Sequence, residues 1–118
     1  MTDYTVVDAG DVEAMRGAFR KMRLALGTNA FGINQIELPA GASGPEHDEE
    51  DTTHEEVYVV LTGTGTLSVE GEEIALEPGR YVRVGPSVSR QMTAGDGGIT
   101  FIAVGAPAAV EWTGRPTL

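Results

Sequence analysis

The chain has 118 residues, enough for one domain with one hydrophobic core, and 41% apolar with 22% charged residues is the composition of a globular protein. It has no cysteine, which excludes disulfides and thiolate chemistry, and a net charge of −10 argues against nucleic acid and anionic membranes as partners. The N-terminus lacks the basic and apolar stretches of a signal peptide, and no apolar run approaches the roughly 18 residues of a membrane span, so a cytoplasmic protein is expected.

Sixteen glycines and six prolines favour a turn-rich, all-β fold. Near the N-terminus Val12, Met15, Phe19, Met22 and Leu26 recur at helical steps, with Asp11 as N-cap, but Gly17 interrupts them and "RKMRLAL" alternates. The pattern predicts a short helix at 11–16 and a strand at 18–26. "FGINQIEL" (31–38) reads as a strand ended by "PAGASGP". "EVYVVL" (56–61) is β-branched and apolar on both faces, which places it inside the fold. "TLSV" (66–69) and "EIAL" (73–76) flank Glu70-Gly71, a tight hairpin turn, and Pro78-Gly79 fits the centre of a type II turn before "YVRV" (81–84). "GITFIAV" (98–104) is the last core strand. Short strands with Gly/Pro punctuation predict a small sandwich or barrel. The tail is expected to be extended, with Trp112 packing it onto the body or onto a second subunit.

Charge is unevenly placed. Residues 46–56 hold seven acids and no base, and "HDEEDTTHEE" (47–56) contains both histidines. Arg16, Arg20, Lys21 and Arg23 gather near the N-terminus. An acidic run is ordinarily a solvated loop, but imidazoles and carboxylates are also metal ligands. No G-x-S-x-G, phosphate loop or dinucleotide fingerprint is present.

The ordered pieces "LPAG", "EEVYVVLTG", "VEGEE", "LEPGRYVRV" and "FIAVGAP", over about residues 38–104, resemble small single-domain cupins of the conserved-barrel type. The resemblance implies a jelly-roll (double-stranded β-helix) barrel over the whole chain, 1–118, with core strands at about 18–106, an extension at 107–118, and a homodimer. It also implies one divalent metal (Zn, Mn, Fe or Ni) inside the barrel, held by a His-x-His pair, a Glu and a later His. Counted back from Gly63, the family's Glu falls on Glu56, and the His-x-His pair falls on His47 and Glu49. The last His falls on Arg90, whose guanidinium has no lone pair to give. At about 4 Å and an effective dielectric near 20, it would repel each unit of metal charge by roughly 4 kcal/mol.

The candidate site is therefore open to several readings. Alternation puts Glu56, Tyr58 and Val60 on one face. If that face lines the barrel, Glu56 must be paired, protonated or metal-bound, and Arg90 is its natural partner. Alternatively Arg90 grips a carboxylate or phosphate of a ligand. His54 shares the face of Glu56 and either replaces a missing imidazole or is a half-exposed residue at a strand start. Glu49, Glu50, Asp51 and Glu55 read as solvated loop, although Glu49, Asp51, Glu56 and a His make an oxygen-rich set for Mn²⁺, Zn²⁺ or Ca²⁺. Tyr58, Tyr81 and Met92 read as core before ligand contacts.

Three functions follow. The first is a degenerate cupin without a standard metal site, binding a small polar or anionic molecule inside the barrel through Arg90, Glu56, His54, Tyr58 and His47. The second is a metal-dependent oxygenase, isomerase or lyase built on His47, Glu49 and Glu56. The third is a structural or regulatory module with no small-molecule site.

Overall fold

A computed structural model describes residues 3–114; residues 115–118, the end of the expected C-terminal extension, and residues 1–2 lie outside the described residues. The chain runs through a 3-10 turn (Ala9–Asp11), β1 (Ala14–Met15), β2 (Phe19–Arg20), α1 (Met22–Leu26), β3 (Gly32–Leu38), β4 (His54–Val69), β5 (Glu72–Leu76), β6 (Tyr81–Val84) and β7 (Arg90–Pro107). All strand pairs are antiparallel, in the order β1-β2-β3-β7-β4-β5, with β6 also on β4.

The frame is the pairing of the two long strands, β4 and β7. Their register breaks between Val60/Thr62 and Gly63/Gly65, so each strand turns a corner there without ending. Gly63 and Gly98 sit at that corner with φ of 79° and 78°, a region that favours glycine. On one side of it, residues 56–59 of β4 lie between β7 and β6, and on the other, residues 65–69 lie between β7 and β5. The expected strands 56–61 and 66–69 are thus one element, and the expected 98–104 is the second half of another. The glycines of "TGTG" and "AGDGG" bend these strands where turn chemistry alone predicts stops.

Alternation sends Ile36, Leu38, Tyr58, Val60, Leu67, Met92, Phe101 and Ala103 into the barrel, where all are buried. The ring of Phe101 meets that of Tyr58 edge-on. The other face of β4, with Val57 and Val59, is half-buried on the outside, so only one face of "EVYVVL" is interior. Tyr81, expected in the core, is 70% exposed, because in "YVRV" it is Val84 that is buried while Tyr81 and Arg83 face out.

The N-terminal expectation is corrected. Residues 11–16 are not a helix. Arg16-Gly17, both at positive φ, form the turn of the β1–β2 hairpin, with the Ala18 amide donating to the Met15 carbonyl. "MRLAL" is helix rather than strand, closed by left-handed Gly27, whose amide and that of Thr28 both donate to the Arg23 carbonyl. Glu70-Gly71 forms the β4–β5 turn as expected. Gly79 at φ 85° and the Arg80 amide on the Glu77 carbonyl are what a Pro78-Gly79 type II turn requires. Trp112 is 74% exposed and does not pack the tail onto this barrel.

Candidate functional site

The site forms where β4 passes the start of β7. His47 and Arg90 bond reciprocally through their backbones, His47 N–H to the Arg90 carbonyl at 3.0 Å and Arg90 N–H to the His47 carbonyl at 2.9 Å. In such an antiparallel pair both side chains project from one face. Glu56 and Tyr58 on β4 meet them there.

Arg90 is the most buried polar residue, at 1% exposure. Its guanidinium donates to Glu56 Oε1 at 2.5 Å, Tyr58 Oη at 3.1 Å, the Val88 carbonyl at 2.8 Å and the Gly85 carbonyl at 3.4 Å. Tyr58 Oη in turn donates to Glu56 Oε1 at 2.7 Å. Among the described residues, no buried side-chain polar atom lacks a partner. A buried ion pair is tolerable only when its remaining hydrogen-bonding capacity is met in this way.

The electrostatics follow. Burial pushes the Glu56 carboxyl up, but hydrogen bonds from Arg90 and Tyr58 and the charges of Arg90 and His47 outweigh it, and the group titrates below the usual carboxylate range. Burial, followed by the Glu56 charge, pushes the Tyr58 phenol up, so it remains a donor. Burial opposes the Arg90 charge, but its bonds to Tyr58 and Glu56 prevail and hold it protonated.

His47 Nδ1 lies 3.2 Å from the Pro45 carbonyl, which can only accept, so Nδ1 carries the proton. Nε2 faces Glu49 Oε1 at 3.6 Å and Glu56 Oε1 at 3.5 Å. Ligand atoms of His47, Glu49 and Glu56 all lie within 4.8 Å of one another. Glu49 is held by a built turn rather than a loose loop. Its amide donates to the Pro86 carbonyl, Thr53 N–H donates to its carbonyl, and the Thr52 hydroxyl donates to its carboxylate at 3.1 Å. Thr53 closes this turn at φ 57°, an uncommon position for a β-branched residue.

These groups stand at one end of a cavity of about 240 Å³ whose walls are otherwise Phe19, Ile36, Leu38, Leu67, Met92, Phe101 and Ala103. Asn34 also lines it and was not anticipated; a polar residue alternating with Ile36 and Leu38 on one strand face was the available clue. Phe19 comes from β2 of the N-terminal hairpin. His54 does not line the cavity. It opens β4 opposite Pro107, past the rim, although it shares the alternation of Glu56. Asp48, Glu50 and Asp51 also stay outside.

No functionally curated protein matches the sequence. A cupin protein from Bacteroides fragilis is similar over the full length of both chains, at 27% identity with TM-score 0.82. A predicted oxalate decarboxylase from Thermotoga maritima matches at 21% identity and TM-score 0.72, over 87% of this chain and 99% of its own. A sugar phosphate isomerase from Silicibacter pomeroyi matches at 22% and 0.75, over 86% of this chain and 75% of its own. The last two likenesses concern the fold. The profile of the family described as "Cupin domain" covers residues 34–105, the stretch that carries the barrel, Glu56 and Arg90, and the chain belongs to the cupin superfamily.

Proposed function

We propose that the barrel binds a small molecule whose hydroxyl-bearing or otherwise hydrogen-donating head meets His47, Glu49 and Glu56, with Arg90 as the fixed counter-ion of Glu56. The observation that carries this reading is the apolar cavity with three convergent polar groups at one end. Two carboxylates against one guanidinium leave that end negative, so it suits donors rather than an anion. Arg90 is spent on internal partners and supports no anion at this end. The test is a thermal-shift screen of small polyols, sugars, amines and carboxylates. Hydroxylated or amino compounds are expected to raise the melting temperature of the wild type, and Glu49→Gln to abolish the shift. A panel without any shift sinks the reading.

A second reading, a metal-dependent enzyme, is favoured by one specific observation: His47 has its Nδ1 proton tied to a backbone carbonyl and its Nε2 aimed at two carboxylates, the usual preparation of a metal-binding imidazole. The donor set fits a borderline or hard divalent ion, because Glu49 adds the negative charge that Arg90 cancels. His47, Glu49 and Glu56 would hold it. When bound, such an ion supplies Lewis acidity toward a substrate oxygen. Elemental analysis after incubation with Mn²⁺, Zn²⁺, Fe²⁺ or Ni²⁺ decides: near-stoichiometric metal that His47→Ala removes supports this reading, and none counts against it.

The assembly we propose is a dimer through the outer sheet face. Ile33, Val57, Val59, Leu61, Tyr81, Ile102 and Val104 occupy adjoining outward positions on β3, β7, β4 and β6. At about 4.8 Å by about 7 Å per position these seven cover roughly 230 Å², interrupted by Gln35 beside Ile102 and Arg83 beside Val57. A second copy, presenting the same patch, is the occupant. Light scattering is expected to give a dimer for the wild type and a monomer for Val59→Glu; a monomeric wild type at all concentrations overturns this. Among the described residues no helix is long and apolar enough to cross a membrane.

A further inference from the structure

The barrel cavity does not end at its rim. A broader depression lies outside it, between the β1–β2 hairpin and the loop after β3, and Phe19, Asn34, Leu38, Gly44 and Pro45 border both spaces. The two spaces adjoin along these five residues. The inner one carries Glu49 and Glu56; the outer one carries Arg16 and Lys21.

Those two cations are unusual in this chain. Arg20, Arg80, Arg83 and Arg90 each face a carboxylate, and Arg23 faces the Thr28 carbonyl. Among the described residues, Arg16 and Lys21 face neither an acid nor a carbonyl, although the chain holds eighteen acids against eight bases. An independent observation points to the same place. Arg16 stands at φ 55° at the first central position of its turn, where Asn, Asp or Gly is the ordinary choice. A strained residue at a cavity rim directs attention to what its side chain does.

We propose that the two spaces act as one channel and take an amphiphilic anion. Its terminal carboxylate or phosphate sits between Arg16 and Lys21, its apolar body lies along Phe19 and Leu38, and its hydroxyl-bearing end reaches the acidic end of the barrel. This rests on the barrel-binding reading and adds the ligand's polarity and direction. The hairpin that carries Phe19, Arg16 and Lys21 precedes the stretch matched by the family profile, which starts at residue 34. The outer charge is therefore a specificity element of the N-terminal segment, set on the common barrel.

Calorimetry with ω-hydroxy carboxylates of increasing chain length (8-hydroxyoctanoate among them) and the diols of equal length tests it. In the wild type the hydroxy acid is expected to bind about tenfold more tightly than its diol, as a charge-assisted contact gives, with the preference fading at high salt. The double variant Arg16→Asn, Lys21→Gln is expected to lose that preference. Asn accepts positive φ, so the turn survives, and an unchanged melting temperature verifies it. Equal affinity for acid and diol in the wild type overturns the anion assignment and leaves the barrel reading standing. A preference that persists in the double variant overturns it as well. Binding of neither series, at any length, removes both readings together.

Discussion

Arg90→Met is expected to destabilise the protein by about 3–5 kcal/mol, the range for breaking a buried ion pair from one side. For a domain of this size that is a fall of roughly 10–20 °C in melting temperature. The substitution keeps much of the volume but strands the Glu56 carboxylate and removes the donor to Tyr58 Oη and to the Val88 and Gly85 carbonyls. Two further readouts separate this cause from poor packing. Adding Glu56→Gln to Arg90→Met removes the orphaned charge and is expected to recover a large part of the loss. The pH dependence should also invert for this one group. In the wild type Glu56 is held below its unfolded pKa of about 4.3, so its contribution is present above that pH and is lost as pH falls through the folded value. In Arg90→Met, burial, the largest single cause, is opposed only by Tyr58 and His47, and the carboxyl is expected to rise. Its penalty is then smallest in acid and grows as pH rises through the raised value. Urea melts of both proteins across pH 3 to 8 are expected to converge at the acid end. A constant difference at every pH would show that Glu56 is not the group at stake.

The second large effect is expected at the corner of the long strands. Gly63→Ala puts a methyl group into the carbonyl of Gly98 and against the Ile99 Cα, at a φ of 79° that side chains rarely adopt. Left-handed strain and overpacking together cost about 2–5 kcal/mol. Gly71→Ala is the control. Its φ of 88° imposes the same strain, but a new Cβ there meets nothing within 4 Å, so about 1–2 kcal/mol is expected. Equal losses in urea denaturation would mean that strain alone acts, and that the close approach of β4 to β7 is not what fixes Gly63.

How much of this was legible beforehand depended on range. Turns written in adjacent residues, Glu70-Gly71 and Pro78-Gly79, were readable because glycine at positive φ is a local requirement. β4 and β7 were not, because "TGTG" and "AGDGG" look alike whether a strand stops or bends; the distinction lies in Gly63 meeting Gly98, a long-range contact. The N-terminal error was a contest between two periodicities over Met22–Leu26, settled by the cap at Gly27 that neither periodicity includes. In the site, Glu56, Arg90, His47 and Glu49 were reached by motif spacing and alternation, and the structure brings their side chains together. His54 obeyed the same alternation but lies past the rim, since alternation gives a face and not a height. Phe19 and Asn34 became site residues only through register, which sets β2 and β3 beside the barrel mouth.

The Arg90–Glu56 pair has a consequence for how such a barrel lives in a cell. A cupin whose interior carboxylate is neutralised by an ion borrows its counter-charge from the surroundings, and its folding is then coupled to the supply of that ion. Here the counter-charge is encoded in the chain and arrives with it during synthesis. Glu56 is paired before any ligand or metal appears, so its burial does not depend on metal supply, and whatever the cavity binds is free to be cargo, substrate or signal rather than scaffold.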